Sequence, residues 1–363
     1  MTNNRKKNFF AGPSVLPIEV LQELEREIGE YNNEGLSIIE ASHRDQPFTD
    51  MYFETLDLVK ELLNINDNYD ILFLGGGATL QFSMAPLNYL KPNTVADYIK
   101  SGTWSNKAAS DAAKIGDINI YFDGSESNYS TLPDPKSVRA SENSSYLYLC
   151  SNETTGGIAW QDFPNLKETP LIADMSSDIL SRPVDVSKFA LIFAGVQKNL
   201  GPAGATLVIL NKDMYERQNK SLPTYLNYYS HTKTGGLTNT PPIFSIWTVK
   251  LVLQWIKANG GAEGMAKRAS LKSTMLYDTI DGSGGFYISP VDKRYRSKMN
   301  VVFKLPSEEL EKEFVAMSKE ANMVGLNGHR SVGGLRASIY NSLPVEDVKA
   351  LSDFMNEFKR IKG

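Results

Sequence analysis

Two apolar runs, Phe189 to Ala194 and Ala205 to Leu210, flank the Gly/Pro-rich turn from Gly195 to Gly204. Runs this apolar, the second broken only by Thr206, read as strands buried on both faces when bounded by turn formers. A turn held between two such strands fixes Lys198, the single cation inside it, on a rigid edge. Short apolar runs alternate with helical stretches along the rest of the chain, the pattern of an α/β protein. With 363 residues, the chain is long enough for one large domain and a smaller one packed on it. We place the large unit at 17–258 and the small one at 259–363, with segment 1–16 near the mouth of the site.

A lysine on such an edge is either a solvated turn residue or a nucleophile that forms a Schiff base with a carbonyl cofactor, its pKa falling once desolvated. The run Leu171-Ile-Ala-Asp174 ends in an acid, where the carboxyl end of a sheet strand presents functional groups. An Asp there is by itself a common cap or turn residue. Together, a lysine and an acid that pairs with a pyridinium nitrogen are what pyridoxal phosphate (PLP) requires. The interval from Asp174 to Lys198 leaves room for one more connection and strand.

Several stretches then fall into one pattern. Ala173-Asp-Met-Ser-Ser-Asp-Ile-Leu-Ser-Arg182 followed by Ala194-Gly-Val-Gln-Lys-Asn-Leu-Gly-Pro-Ala-Gly204 resembles the cofactor region of the phosphoserine aminotransferase family. The resemblance implies a PLP enzyme of the aspartate-aminotransferase-like fold (fold type I), with a large mostly parallel sheet, a small α/β C-terminal domain and a homodimeric assembly. Its matches run in order from Gly12 to Tyr340.

Phe73-Leu-Gly-Gly-Gly-Ala-Thr79 reads as a strand, a glycine turn and a helix start, where backbone N–H groups can approach an anion. The resemblance puts Gly77 and Ala78 at the PLP phosphate. Trp104, after the strand-like run from Thr94, either packs under the sheet or stacks on a planar ring; the resemblance implies stacking. It further implies that Thr154 donates to the ring hydroxyl and that Gln197 belongs to the cofactor set. Asn239 and Thr240 would reach the cofactor phosphate of the other subunit.

For the substrate, His43-Arg44 and His329-Arg330 are two His-Arg pairs in tight turns, suited to reading a phosphate. The resemblance gives them the side-chain phosphate and gives Arg336 the α-carboxylate. Two departures stand out: Asp45, where a Ser is expected, and Gly235-Gly236, where bulkier residues are expected and a looser loop follows. His231 has no match.

The implied reaction is amino transfer between L-glutamate and 3-phosphohydroxypyruvate, with the 4-phosphooxy substrate of vitamin B6 synthesis as an alternative. A cysteine desulfurase would need a mobile nucleophilic cysteine, but the single cysteine, Cys150, ends an apolar strand. A non-catalytic PLP regulator would need an appended module for which no length remains. The net charge of −4 argues against a nucleic-acid-coating surface. With one cysteine and three histidines, neither an intrachain disulfide nor a clustered metal site is expected. No apolar run is long enough to span a bilayer, and the N-terminus lacks the apolar stretch of a signal peptide, so a cytoplasmic protein is expected.

Overall fold

The computed structural model describes residues 5–329 and 333–363. Arg330 lies outside the described residues.

A seven-stranded sheet organises the molecule. Its order across the sheet is Tyr69–Leu74, Thr206–Asn211, Leu191–Gly195, Leu171–Asp174, Ser144–Cys150, Val95–Lys100 and Ile118–Asp123. All neighbours are parallel except Thr206–Asn211, which runs antiparallel to both of its own. The two apolar runs around Lys198 are therefore an antiparallel pair, and the lysine sits in their connection.

The runs are almost continuously apolar because alternate side chains enter two different cores. Ile192, Ala194, Leu207, Ile209, Leu147 and Leu149 face one side, under helices Gln46–Leu62 and Ile243–Ala258. Leu191, Phe193, Val208, Leu210, Tyr146 and Tyr148 face the other, under helices Gly77–Tyr89 and Thr103–Ala112. With both faces covered, the inner strands are almost wholly buried, whereas the edge strand Ile118–Asp123 exposes Asn119 and Ile120.

A separate core forms around the antiparallel strands Asn300–Phe303 and Leu335–Ser338, with helices Glu308–Glu320 and Val345–Lys362. Helix Gly261–Asp281 joins the two regions: Ala262 and Met265 enter the sheet core, whereas Leu276 and Ile280 enter the C-terminal one. The N-terminus also belongs to the C-terminal core. Lys7–Asn8 pairs in parallel with Met323–Val324, and Phe9 and Val15 are buried there.

Candidate active site

The parallel strands all deliver their carboxyl ends to one edge, which in open α/β sheets is where ligands bind. Asp174 is the last residue of its strand. Lys198 follows the adjacent strand, Thr154 follows Ser144–Cys150, and Trp104 lies in the first turn of the helix after Val95–Lys100. Side chains far apart in sequence meet there.

Lys198 is 9% exposed. Its Nζ donates to Thr154 Oγ1 at 2.7 Å and stands 5.4 Å from the centroid of the Trp104 ring. Asp174 is 4% exposed, and its Oδ1 accepts from the backbone N–H of Ser176 at 2.9 Å and its hydroxyl at 2.6 Å. The acid is thus both a turn residue and a buried charge. Burial pushes its carboxyl above the usual range, and the Lys198 ammonium pulls it back. Ser176, which holds Asp174, in turn accepts from the N–H of Gly195 at 3.0 Å, tying the acid's turn to the lysine's strand.

Trp104 is placed by a residue that sequence reasoning passed over. Its helix starts after Gly102, which has no side chain to satisfy the first-turn N–H groups. Glu153 satisfies them from the short strand Asn152–Glu153: Oε2 accepts from Trp104 N at 2.9 Å, and Oε1 from Ser105 N at 2.8 Å and Ser105 Oγ at 2.7 Å. A Cβ on residue 102 would stand 2.7 Å from Glu153 Cδ, so only glycine lets the carboxylate approach. Glu153 is fully buried, and burial raises its carboxyl against the lowering effect of these bonds. The available signal was an acid at the polar end of an apolar strand.

The N-terminal segment closes over the lysine's turn. Ser14 N donates to Gln197 O at 3.0 Å, and Ser14 Oγ donates to Lys198 O. Gln197 is itself half-buried beside them. A Cβ on Gly12 would lie 3.4 Å from Lys198 Cγ. On the other flank, Gly77 and Ala78 open helix Gly77–Tyr89, and Gly77 has φ +65°. A Cβ on Gly77 would meet nothing within 4 Å among the described residues beyond its own turn, so the helix N-terminus opens onto free space, where its backbone N–H groups can meet an anion.

These residues fit PLP. Among the described residues the buried Trp104 Nε1 has no hydrogen-bond partner, and the ring, the lysine amine and the acid converge on one place. Arg336, on strand Leu335–Ser338, likewise has a buried Nε without a partner among the described residues, and burial lowers its pKa. Such donors call for an anion.

His43 and Thr240 form a second group, with Thr240 Oγ1 and His43 Nδ1 3.3 Å apart. Arg44, Asn239 and Thr240 are exposed, and among the described residues no hydrogen bond links this group to the Lys198 group. His329 is half-buried on the C-terminal loop. Asp45 sits at the N-terminus of helix Gln46–Leu62, exposed and away from the Lys198 cluster's hydrogen bonds.

The loop at Gly235-Gly236 is not loose. Tyr52 Oη donates to Gly235 O at 2.9 Å, and Gly236 N donates to His231 O at 2.8 Å. Gly236 has φ +89°, and a Cβ there would collide with the Tyr52 hydroxyl. The glycines are needed for this close approach. His231 is a core residue: fully buried, Nε2 is 2.7 Å from Tyr225 O, its ring packs edge-on to Tyr225, and burial lowers its pKa. Cys150 is buried too, its thiol pushed well up by burial.

Comparison with known proteins agrees with this geometry. The family model described as aminotransferase class-V matches residues 7–351, and the chain belongs to that family of PLP-dependent aminotransferases. It is 50% identical over 358 residues to the phosphoserine aminotransferase of Geobacillus kaustophilus, covering 98% of this chain and 99% of that one. It is 49% identical to that of Halalkalibacterium halodurans, covering 98% of each. The solved phosphoserine aminotransferase from Bacillus circulans subsp. alkalophilus superposes with a TM-score of 0.97 at 47% identity, covering 99% of both chains. Within the class-V family the chain therefore falls in the phosphoserine aminotransferase group. A PLP-bound phosphoserine aminotransferase from Trichomonas vaginalis gives a TM-score of 0.89 at 35% identity, covering 97% and 100%. Aspartate aminotransferase of Thermus thermophilus, 21% identical over 97% and 99% of the two chains, shares the fold at a TM-score of 0.78.

Proposed function

We propose that this protein transfers the amino group between L-glutamate and 3-phosphohydroxypyruvate, giving O-phospho-L-serine and 2-oxoglutarate. The observation that carries the reading is the buried Lys198 amine held by Thr154 over the Trp104 ring, in a chain half identical to phosphoserine aminotransferases. The large unit, 17–258, provides the cofactor residues, and the small one, 259–363, provides His329, Arg330 and Arg336.

PLP, when bound, supplies an electron sink for the charge left when the α-proton departs. Lys198, Asp174, Trp104, Thr154, Gln197, Gly77 and Ala78 would hold it. The chain's own work is orientation and proton movement. Lys198 Nζ takes the α-proton from the substrate carbon and later returns it, and Thr154 Oγ1 fixes where that nitrogen waits. Asp174 supplies the negative charge that keeps a ring nitrogen protonated. The Trp104 face limits tilt. Arg336 forks onto the α-carboxylate, using a guanidinium whose Nε has no other partner among the described residues. One oxo acid must leave before the next enters, so the kinetics are ping-pong.

Glutamate's side-chain carboxylate and the substrate phosphate share one anion pocket, formed by His43, Arg44, His329 and Arg330. The same pocket would accept the one-carbon-longer phosphooxy substrate of vitamin B6 synthesis.

We further propose a cytoplasmic homodimer in which His43, Arg44, Asn239 and Thr240 serve the other subunit's site. In support, Leu36, Ile39, Phe53 and Phe244 are exposed, Leu36 and Ile39 shortly before His43 in the chain and Phe244 shortly after Thr240, and exposed apolar side chains are suited to burial against a second copy. Dilution to monomer should release cofactor, and a monomer that keeps PLP would contradict the shared site. No helix of the described residues is long and apolar enough to cross a membrane.

The deciding test is a half-reaction on PLP-loaded protein, followed by the visible cofactor band. Phosphoserine and glutamate should bleach it, alanine should not, and Lys198→Ala should be inactive. Bleaching by cysteine alone would reject the aminotransferase reading.

A further inference from the structure

The antiparallel strands Asn300–Phe303 and Leu335–Ser338 form a ribbon with two unlike faces. Val301, Phe303, Leu335 and Ala337 enter the C-terminal core. Side chains alternate along a strand, so Asn300, Val302, Arg336 and Ser338 take the other face, where Asn300 pairs with Ser338 and Val302 with Arg336. That face is pressed onto the segment that carries Thr154. A Cβ on Gly157 would stand 2.8 Å from both Asn300 O and Val302 Cγ2. The two backbones therefore meet where a side chain has no room, and Gly157 has φ +71°.

At one end of this face Asn300 is fully buried and uses both ends of its amide on other segments. Its Oδ1 accepts from Asn152 Nδ2 at 2.8 Å, and its Nδ2 donates to Ser338 Oγ at 3.0 Å and Tyr340 Oη at 3.2 Å. The Tyr340 hydroxyl donates its own proton to Ala11 O at 2.8 Å. Toward Asn300 it can only accept, which fixes the orientation of the amide. Asn152 is tied in turn to Ser177, its Nδ2 donating to Ser177 Oγ at 2.8 Å and its O accepting from that hydroxyl at 2.6 Å.

Four segments of the site thus converge on one side chain. Ser177 lies just after Asp174, Asn152 just before Thr154, and Ala11 in the segment whose Ser14 bonds to Lys198 O. The fourth is the strand of Arg336, which is about 7 Å from Ser338 along it. An apolar residue at 300 could fill the space. A buried amide bonded in three directions fixes orientation as well as distance, which packing alone does not.

We infer that Asn300 is a positioning residue for amino transfer: through Ser338 and Tyr340 it sets where the Arg336 guanidinium meets the substrate α-carboxylate relative to Lys198. This role rests on the proposed assignment of Arg336 to that carboxylate.

Asn300→Ala, Tyr340→Phe and Arg336→Ala, and each of the first two combined with the third, test the role on PLP-loaded enzyme. Two quantities are measured: kcat/KM of the half-reaction, and the affinity for 2-oxoglutarate by calorimetric titration. Asn300→Ala should lower kcat/KM about tenfold, the scale of a displacement below 1 Å, and weaken 2-oxoglutarate about as much. Phosphoserine and glutamate should lose the same factor, because they share the α-carboxylate. Tyr340→Phe keeps the ring and removes one hydroxyl; a loss of about threefold is expected, and this variant decides the matter if Asn300→Ala misfolds. Neither should shift the visible cofactor band, and neither should cost anything further once Arg336 is Ala. An equal further loss in the Arg336→Ala background, or a shifted band, would overturn the role, since Asn300 would then act on the fold or the cofactor at large. Unchanged kcat/KM and affinity in both single variants would overturn it as well. If Arg336→Ala itself changes neither quantity, the assignment of Arg336 falls, and the role of Asn300 with it.

Discussion

Glu153→Gln isolates the placement of Trp104 from the rest of the site. The carboxylate accepts three hydrogen bonds, at 2.9, 2.8 and 2.7 Å, from Trp104 N, Ser105 N and Ser105 Oγ. A glutamine of the same shape retains one oxygen. Whichever way the amide turns, its NH2 confronts a backbone N–H. One buried donor is then unsatisfied, at about 1–3 kcal/mol, and the surviving bonds lose their charge assistance. Against this, the amide avoids burying a charge, a penalty visible in the raised Glu153 carboxyl. We expect a net loss of roughly 2 kcal/mol, read by urea denaturation of the PLP-loaded protein. Because the loss falls at the start of the Trp104 helix, the cofactor's visible band and the quenching of Trp104 fluorescence should change with it. Unchanged stability together with an unchanged band would refute the claim that Glu153 holds the ring in place. Glu153→Ala should be worse than Glu153→Gln, since it leaves both backbone N–H groups bare, while Ser105 Oγ keeps Gly102 O at 3.1 Å as an acceptor.

Gly236→Ala should destabilise the protein by roughly 1–3 kcal/mol, because φ is left-handed and the methyl displaces the Tyr52 hydroxyl; a thermal shift within error would contradict the close approach. Asp178 predicts a pH dependence: burial lifts its carboxyl to about 6, with Arg182 and Ser151 opposing the rise. The folded state therefore holds this proton more tightly than the unfolded chain does. The stabilisation is full below the ordinary carboxylate value and is lost as pH rises through about 6, an effect of roughly 2–3 kcal/mol. Asp178→Asn should flatten that part of the stability–pH curve, and an unaltered slope between pH 4 and 7 would count against it.

Much of the sheet was legible because strands buried on both faces must be written as nearly uninterrupted apolar runs; 189–194, and 205–210 with its single Thr206, could be little else. Lys198 and Asp174 were legible for the complementary reason: each is the first charge after such a run, where the sheet ends. Glu153 was not, although it adjoins Thr154. A carboxylate that satisfies another element's helix start leaves no spacing signature, since its partners lie 48 and 49 residues away. The contact between Ser14 and Lys198 spans 184 residues and is equally silent in sequence. The Gly235-Gly236 reading failed because glycine is permissive in isolation and obligatory beside a fixed side chain. Only Tyr52, on another helix, decides between the two.

The same logic explains why the site is distributed as it is. Each strand can place functional groups only beyond its last apolar residue, so one edge collects Trp104, Thr154, Asp174 and Lys198 from four connections. Connections are held less firmly than strands, and their positions must be fixed by one another. Ser176 links the Asp174 turn to Gly195, Glu153 links the loop after Cys150 to the Trp104 helix, and Ser14 links the N-terminal segment to Lys198. Asn199 extends the chain of links to the C-terminal region, where its Oδ1 accepts from Asn341 N at 3.1 Å. Arg336 lies on a strand of that same region. Its distance from the lysine is therefore set through side-chain and backbone hydrogen bonds between the two cores, rather than by the sheet. Substitutions at these links should alter the orientation of the substrate carboxylate relative to Lys198 while leaving both cores intact.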